Sequence, residues 1–258
     1  MFNNLLERLW IFDFDGTLAP LVPERDKAKL HPISLSLLYD LKEMPGQRVA
    51  VLSSRHLDDL VPRIPLPGLF LSGGSGMEWQ LPDGPRLTFG DRRKLDEIRN
   101  AILPRLKEIA SLPGIELEDK EWSVAFHTRN ADQVGEKEIF SRIEELQPGY
   151  QFGIFKGPEV IEVHFMTGVD KSYGVRTFCQ LLKFDPSEGE IVYVGDDTND
   201  ARAMEWVDYL GGITVTVGDS PLISGSRVVG DQIALADEIR EIAGLVPRDN
   251  SVAKTARR

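Results

Sequence analysis

Two acidic clusters, each at the exit of a short apolar run, constrain this 258-residue chain more than any other feature. The first is Asp13-Phe14-Asp15-Gly16-Thr17, at the end of the run Leu9 to Phe14. The second is Gly195-Asp196-Asp197-Thr198-Asn199-Asp200, directly after Ile191 to Val194. Runs this short and this apolar read as strands buried on both faces of a parallel sheet. In a doubly wound sheet the ligand crevice lies outside the carboxyl ends of the strands. If the two strands are neighbours, four or five carboxylates converge there, an arrangement that is costly unless a cation neutralises it.

The remaining pattern supports such a sheet. Arg48 to Ser53 and Leu69 to Leu71 read as further strands. Between the first two strands His31 to Glu43 places Ile33, Leu37, Leu38 and Leu41 at helical spacing, with Pro45-Gly46 as the stop. The glycine-rich turn Gly73-Gly74-Ser75-Gly76 follows, then Pro and Gly punctuation up to Gly90. From there the rhythm changes to helix Asp91 to Ala110, hairpin Ile115 to Asp119 and Trp122 to Thr128, helix Ala131 to Leu146, and strands Gln151 to Phe155 and Val160 to Phe165. That αββαββ order suits a small sheet covered on one face by two helices. Alternation resumes with helix Lys171 to Leu182, strand Ile191 to Val194, helix Asp200 to Trp206, strand Ile213 to Val217 and helix Asp231 to Ala243. The expectation is an α/β fold: a doubly wound, Rossmann-like parallel-sheet core (1–87 and 167–247) with an inserted α+β cap (88–166) and a flexible basic tail (248–258).

Oxygen ligands without thiolate or imidazole favour Mg²⁺ over zinc or copper. Ser53 with the amides after it, and Lys171 at a helix start, offer donors to phosphate oxygens. An Asp beside the metal can act as a nucleophile towards phosphorus while a second Asp handles protons. Taken singly, each element has a structural explanation: a turn, a helix cap, a surface lysine. Their conjunction in this chain order points to phosphoryl transfer to a carboxylate.

With 30 basic and 41 acidic side chains the formal charge is 30 − 41 = −11. An acidic surface repels phosphate backbones and anionic lipid, so neither nucleic acid nor membrane is expected as a partner. Glu7 and Arg8 interrupt the N-terminal stretch where a signal peptide needs an apolar run, and no run reaches the ~20 apolar residues of a membrane span. A lone Cys179 forms no internal disulfide, and a reducing cytoplasm fits best. Oligomeric state is open, and a monomer is consistent with the pattern.

The quoted segments Asp13-Phe14-Asp15-Gly16-Thr17-Leu18, Ser53, Lys171 and Gly195 to Asp200 resemble the four motifs of the haloacid dehalogenase-like phosphatases. The resemblance implies Asp13 as nucleophile, Asp15 as general acid/base, and Ser53 and Lys171 as holders of the phosphoryl group. It implies Mg²⁺ held by Asp13, the Asp15 carbonyl and Asp196, with Asp197 or Asp200 supporting it. Within that superfamily the chain is similar to the trehalose-6-phosphate phosphatase family, through Asp13 to Pro20, through Gly114 to Arg129 with its Glu118, Lys120 and Ser123, and through Glu162. The substrate side is then expected from Ser54, Arg55, Glu118, Lys120, Arg129, Glu162 and Asn199, with a sugar phosphate as small-molecule partner. The chain departs from the family pattern at Ser54, Ser75, Thr128 and Ser172. Glucosyl- or mannosyl-3-phosphoglycerate, glucosylglycerol phosphate and sucrose phosphate therefore stand beside trehalose 6-phosphate as substrates, and a non-catalytic sugar-phosphate sensor is the remote alternative. Glu118 and Lys120 read alternatively as an exposed pair on a hairpin, His127 as cleft or edge, and Trp79 and Trp122 as packing before sugar stacking.

Overall fold

A computed structural model of the chain describes residues 7–245 apart from Asp83, Asp132 and Pro158. The tail expected at 248–258 lies outside the described residues. The chain begins with β1 (Arg8–Phe12), α1 (Pro32–Lys42), β2 (Gln47–Leu52), α2 (Leu57–Leu60), β3 (Phe70–Gly73), β4 (Glu78–Gln80) and β5 (Arg86–Thr88). It continues with α3 (Arg92–Ile109), β6 (Glu116–Asp119), β7 (Ser123–His127), α4 (Gln133–Glu144), β8 (Gly153–Gly157) and β9 (Val160–His164). It closes with α5 (Lys171–Leu182), β10 (Glu190–Gly195), α6 (Thr198–Tyr209), β11 (Ile213–Val217), β12 (Arg227–Val229) and α7 (Gln232–Ala243).

The strands form two sheets. The larger has the order β12-β11-β10-β1-β2-β3-β4-β5 and is parallel from β12 to β3. Its alternating side chains divide between two apolar layers. Trp10, Phe12, Val49, Val51, Val192 and Val194 meet Leu37, Leu38 and Leu41 of α1 and Leu235, Ala236 and Ile239 of α7. Leu9, Ile11, Ala50, Leu52, Ile191 and Tyr193 meet Val175 and Phe178 of α5 and Ala203, Met204 and Val207 of α6. Both faces are covered, which is why these strands read as continuous apolar runs. The chain moves outward from β1 through β2 to β3 and later returns on the other side of β1 with β10, so the strand order reverses between β1 and β10. Ligands of doubly wound sheets bind at that reversal.

The smaller sheet, β6-β7-β9-β8, is antiparallel and obeys a strict two-sided pattern. Val124, Phe126, Ile161 and Val163 pack with Leu95, Ile102 and Leu106 of α3 and Ile139 and Ile143 of α4. The alternate residues face away from those helices. One cross-strand row on that opposite face runs Glu118, Ala125, Glu162, Phe155.

The structure corrects the sequence reading at three places. The stretch read as punctuation before Gly90 contains β4 and β5, which extend the large sheet antiparallel; three-residue strands leave too little periodicity to see. Strand β12 is equally short and was not expected. Helix α6 starts at Thr198 rather than Asp200, because Asp197 is its N-cap and Asp200 closes a capping box from the third position. Cys179 packs in the second apolar layer, where burial pushes its thiol up to about 11. Among the described residues no helix is long and apolar enough to cross a membrane.

Gly76 and Gly174 bring the glycine turn against α5. A Cβ on Gly76, whose φ is +106°, would lie 2.2 Å from the Gly174 Cα, and one on Gly174 would lie 2.6 Å from Leu52 Cδ1 and 2.9 Å from the Ser75 carbonyl oxygen. Helix propensity alone says that Gly174→Ala stabilises by about 1 kcal/mol. The packing decides the opposite sign: the variant is expected to lose about 1–3 kcal/mol, read from the urea midpoint at unchanged slope.

Candidate active site

The reversal point is where the two acidic clusters meet. Phe12 pairs with Val194, and the Asp13 amide donates to the Val194 carbonyl at 2.9 Å, so Asp13 leaves β1 beside Gly195. Gly16 makes the next approach possible. Its φ is +79°, and a Cβ there would lie 1.8 Å from Asp196 Oδ2. Gly195 does the same for Asp200, since a Cβ on it would fall 2.3 Å from the Asp200 carboxyl carbon. The first loop is tied down by Gln232, whose Nε2 donates to the Gly16 carbonyl at 2.9 Å.

Lys171, the first residue of α5, is 2% exposed, and its Nζ lies 2.7 Å from Asp13 Oδ1 and 2.7 Å from Asp200 Oδ1. Asp200 is fully buried; the Tyr193 hydroxyl donates to its Oδ1 at 2.6 Å, and its Oδ2 accepts from the amides of Asp196 and Asp197 at 3.2 and 3.3 Å. Thr17 Oγ1 donates to Asp196 Oδ1 at 3.3 Å.

Oxygens of Asp13, Asp196 and Asp200 lie within 4.8 Å of one another. Three carboxylates and one ammonium leave a formal charge of −3 + 1 = −2 in a buried pocket. Burial, followed by the neighbouring carboxylates, pushes Asp13 up to about 7 and Asp196 up to about 9. Lys171 is driven above its ordinary value by Asp13 and Asp200 in spite of its burial. The donor set is all oxygen, carries two negative charges in excess and resists ionisation without a counter-charge. Those properties fit a hard divalent cation.

Asp15 lines the cleft but stands outside the carboxylate trio. Arg55 donates from Nε to Asp15 Oδ2 at 2.7 Å and from Nη2 to Oδ1 at 2.6 Å, and its Nη1 reaches Asp59 at 2.5 Å. Arg55, expected to touch substrate, is 1% exposed and lies beneath the loop as a clamp on Asp15. Ser53 is buried as well, its Oγ accepting from the Arg55 amide at 3.1 Å, and the residue that lines the cleft at this strand end is Ser54. Asp197 is engaged as the cap of α6, accepting from Thr198 at 2.6 Å, at the rim of the cleft and outside the carboxylate trio.

The small sheet roofs this cleft. Lys120 Nζ lies 3.1 Å from Glu162 Oε1, which also accepts from Ser123 Oγ at 2.6 Å. Both side chains are buried, against the exposed-pair reading of Lys120. Burial lowers the Lys120 ammonium, while Lys120 and His164 hold Glu162 below the usual carboxylate range despite its own burial. Glu118 lies 3.0 Å from His127 Nε2 and 2.8 Å from Arg25 Nη1. Burial would raise it, but His127, Arg25 and Lys120 outweigh that and hold it at about 2.

Arg25 also approaches Asp15 at 3.6 Å and so spans roof and floor. Nothing local in the sequence announces Arg25, because its partners are 10 and 93 residues away. Arg129 is exposed on the rim, bound to Glu159 at 2.8 Å. Asn199 lines the cleft, and its Oδ1 is buried without a hydrogen-bond partner. Trp79 and Trp122 are both buried in packing. His127 belongs to the cleft.

A sequence profile described as trehalose-phosphatase matches residues 11–229. A trehalose-phosphate phosphatase of Mycobacterium tuberculosis (strain H37Rv) is 32% identical over 254 residues, covering 89% of this chain and 61% of that protein. A trehalose-phosphate phosphatase of Mycobacterium avium is 32% identical over 200 residues, covering 76% of this chain and 50% of that protein. The chain thus spans about three-fifths of the length of the first of these relatives and half of the second. Among solved structures, the C-terminal domain of Candida albicans trehalose-6-phosphate phosphatase matches with a TM-score of 0.70 at 20% identity, covering 93% of both chains. A haloacid dehalogenase-like hydrolase from Bacteroides thetaiotaomicron matches with a TM-score of 0.66 at 17% identity, covering 91% of this chain and 99% of that one. The structural likenesses speak for the fold. The profile match runs from within β1 to the end of β12, through both acidic clusters and the whole roof, and on that extent the chain belongs to the trehalose-phosphatase family.

Proposed function

We propose that the protein is a Mg²⁺-dependent phosphatase that hydrolyses the phosphate monoester of a disaccharide or glycoside, with trehalose 6-phosphate as the favoured substrate. The observation that carries the reading is the convergence of Asp13, Lys171, Asp196 and Asp200 beneath the buried Lys120–Glu162 pair, in a chain of this family. A single cysteine supports a reducing compartment such as the cytoplasm for it.

Asp13, the main-chain carbonyl of Asp15 and Asp196 would hold the ion, with Asp200 or Asp197 in support. When bound, the ion offsets negative charge on the transferring phosphoryl group. An Asp13 carboxylate oxygen attacks phosphorus as the ester P–O bond breaks, giving an aspartyl-phosphate, and Asp15 delivers a proton to the departing sugar oxygen. Asp15 then takes a proton from a water that attacks the same phosphorus, releasing inorganic phosphate and freeing Asp13. Lys171 opposes the burial that raises Asp13 and offers a fixed positive charge to the phosphoryl oxygens. For both proton transfers the Asp15 carboxyl must leave the Arg55 fork and turn into the cleft. Lys120 and Glu162 supply donor and acceptor to sugar hydroxyls, and Glu118 must exchange Arg25 or His127 for a hydroxyl to join them.

Phosphate release from trehalose 6-phosphate is expected to need the ion: EDTA abolishes it and Mg²⁺ restores it, whereas full turnover in EDTA would overturn the reading. Asp13→Asn is expected to lower kcat by about a thousandfold or more, with the fold retained by circular dichroism; a variant of wild-type turnover would remove Asp13 as nucleophile.

A further inference from the structure

A second group of titratable side chains gathers where the small sheet meets the large one, outside the cleft. Side-chain oxygens of Glu78 and Glu121 and a ring nitrogen of His56 lie within 4.8 Å of one another. His56 Nδ1 accepts from the Asp58 amide at 3.2 Å, so the proton of the neutral imidazole sits on Nε2, which donates to Glu121 Oε2 at 2.5 Å. A ring nitrogen that carries a hydrogen is no metal ligand, and the cation of this group is Arg92, which binds Glu121 and approaches Glu78 at 3.4 Å. The Glu121 carboxylate thus ties the β6–β7 turn to two other elements: to His56, the N-cap of α2, and to Arg92, the first residue of α3.

The backbone at Glu121 is strained. Its φ is +67°, and the Trp122 amide donates to the Lys120 carbonyl at 2.9 Å, closing a three-residue turn with Glu121 at the centre. With a positive central φ this is the rare form of that turn, and such strain persists only where the surroundings fix it. Glycine would adopt it freely, yet the position carries a glutamate held at both side chain and main chain: Arg99 Nη1 donates to its carbonyl at 2.6 Å. The next residue, Trp122, packs against both chain crossings between the sheets. A Cβ on Gly90 would fall 2.3 Å from its ring, and its carbonyl accepts from the Phe165 amide at 3.0 Å. The preceding residue is Lys120, which lines the phosphate side of the cleft and reaches Glu162.

A substrate-binding lysine is only as well placed as the turn that carries it. Given the phosphatase reading above, on which this rests, we propose that Glu121 is a positioning residue: hooked to His56 and Arg92, it fixes the turn that presents Lys120 to the sugar hydroxyls. Glu121 does not line the cleft and acts through Lys120.

The test is kcat and KM for trehalose 6-phosphate and for p-nitrophenyl phosphate, which has no sugar hydroxyl for Lys120, on the full chain with Mg²⁺. Glu121→Gly removes the hook while easing the backbone, so its urea midpoint is expected to stay near that of the wild type. Its KM for trehalose 6-phosphate is expected to rise about fivefold, the worth of one well-placed hydrogen bond, with kcat and the p-nitrophenyl phosphate constants nearly unchanged. His56→Ala is expected to move the same KM in the same direction, and the double variant to be no worse than Glu121→Gly, because both act through one contact. Should Glu121→Gly fail to fold, His56→Ala carries the reading. An unchanged trehalose 6-phosphate KM in the folded variants, or a loss shared equally by p-nitrophenyl phosphate, overturns the positioning role. A wild type that releases phosphate from neither substrate, or from p-nitrophenyl phosphate alone, overturns the sugar-phosphatase reading, and the positioning role falls with it.

Discussion

The Lys171 ammonium bridging Asp13 and Asp200 is the interaction on which the rest of the molecule is arranged. It joins the end of β1, the start of α5 and the first turn of α6, three elements brought together only by the large sheet. Burying an ion pair is weak evidence for stability, since desolvation costs several kcal/mol per ion; breaking one half of it is strongly destabilising. This cluster is harder still to keep, because three carboxylates answer one ammonium. Tyr193 and the amides of Asp196 and Asp197 satisfy Asp200 from the far side, leaving Asp13 and Asp196 to carry the excess. The two carboxylates whose ionisation burial opposes are therefore the two expected to touch phosphate and metal.

Around that cluster the glycines decide how close the backbone comes. Gly16 and Gly195 are the positions where a side chain would collide with Asp196 and Asp200, and Gly76 and Gly174 let the turn after β3 press on α5, whose first residue is Lys171. The roof adds a second buried pair, Lys120 with Glu162, from the opposite direction. Arg25 connects the layers by binding Glu118 above and approaching Asp15 below. Roof and floor are thus coupled through charges that substrate hydroxyls and phosphate would compete for.

Much of this was legible in the residues. The apolar runs around β1, β2, β10 and β11 gave themselves away because both faces of a parallel sheet are covered, and α5 and β11 fall at the expected bounds. The αββαββ order of residues 92–164 was visible because each strand alternates and each helix has one apolar stripe. Strands β4, β5 and β12 were not, since three residues carry no period. The role of Arg55 was misread for a different reason: a side chain of that length reaches in any direction, and only the packing shows it turned beneath the loop onto Asp15.

Local pattern alone determined most of the element types and the placement of acidic clusters at strand exits, because each depends on neighbours within a few residues. Tertiary structure decided which strands lie side by side, and hence that residues 13 and 196 share one pocket. It decided the net charge of that pocket, the diversion of Asp15 onto Arg55, and the side of the small sheet that faces the cleft. These are outcomes of contacts between residues tens to nearly two hundred positions apart. Their energies depend on burial and distance, quantities that exist only after the chain has folded.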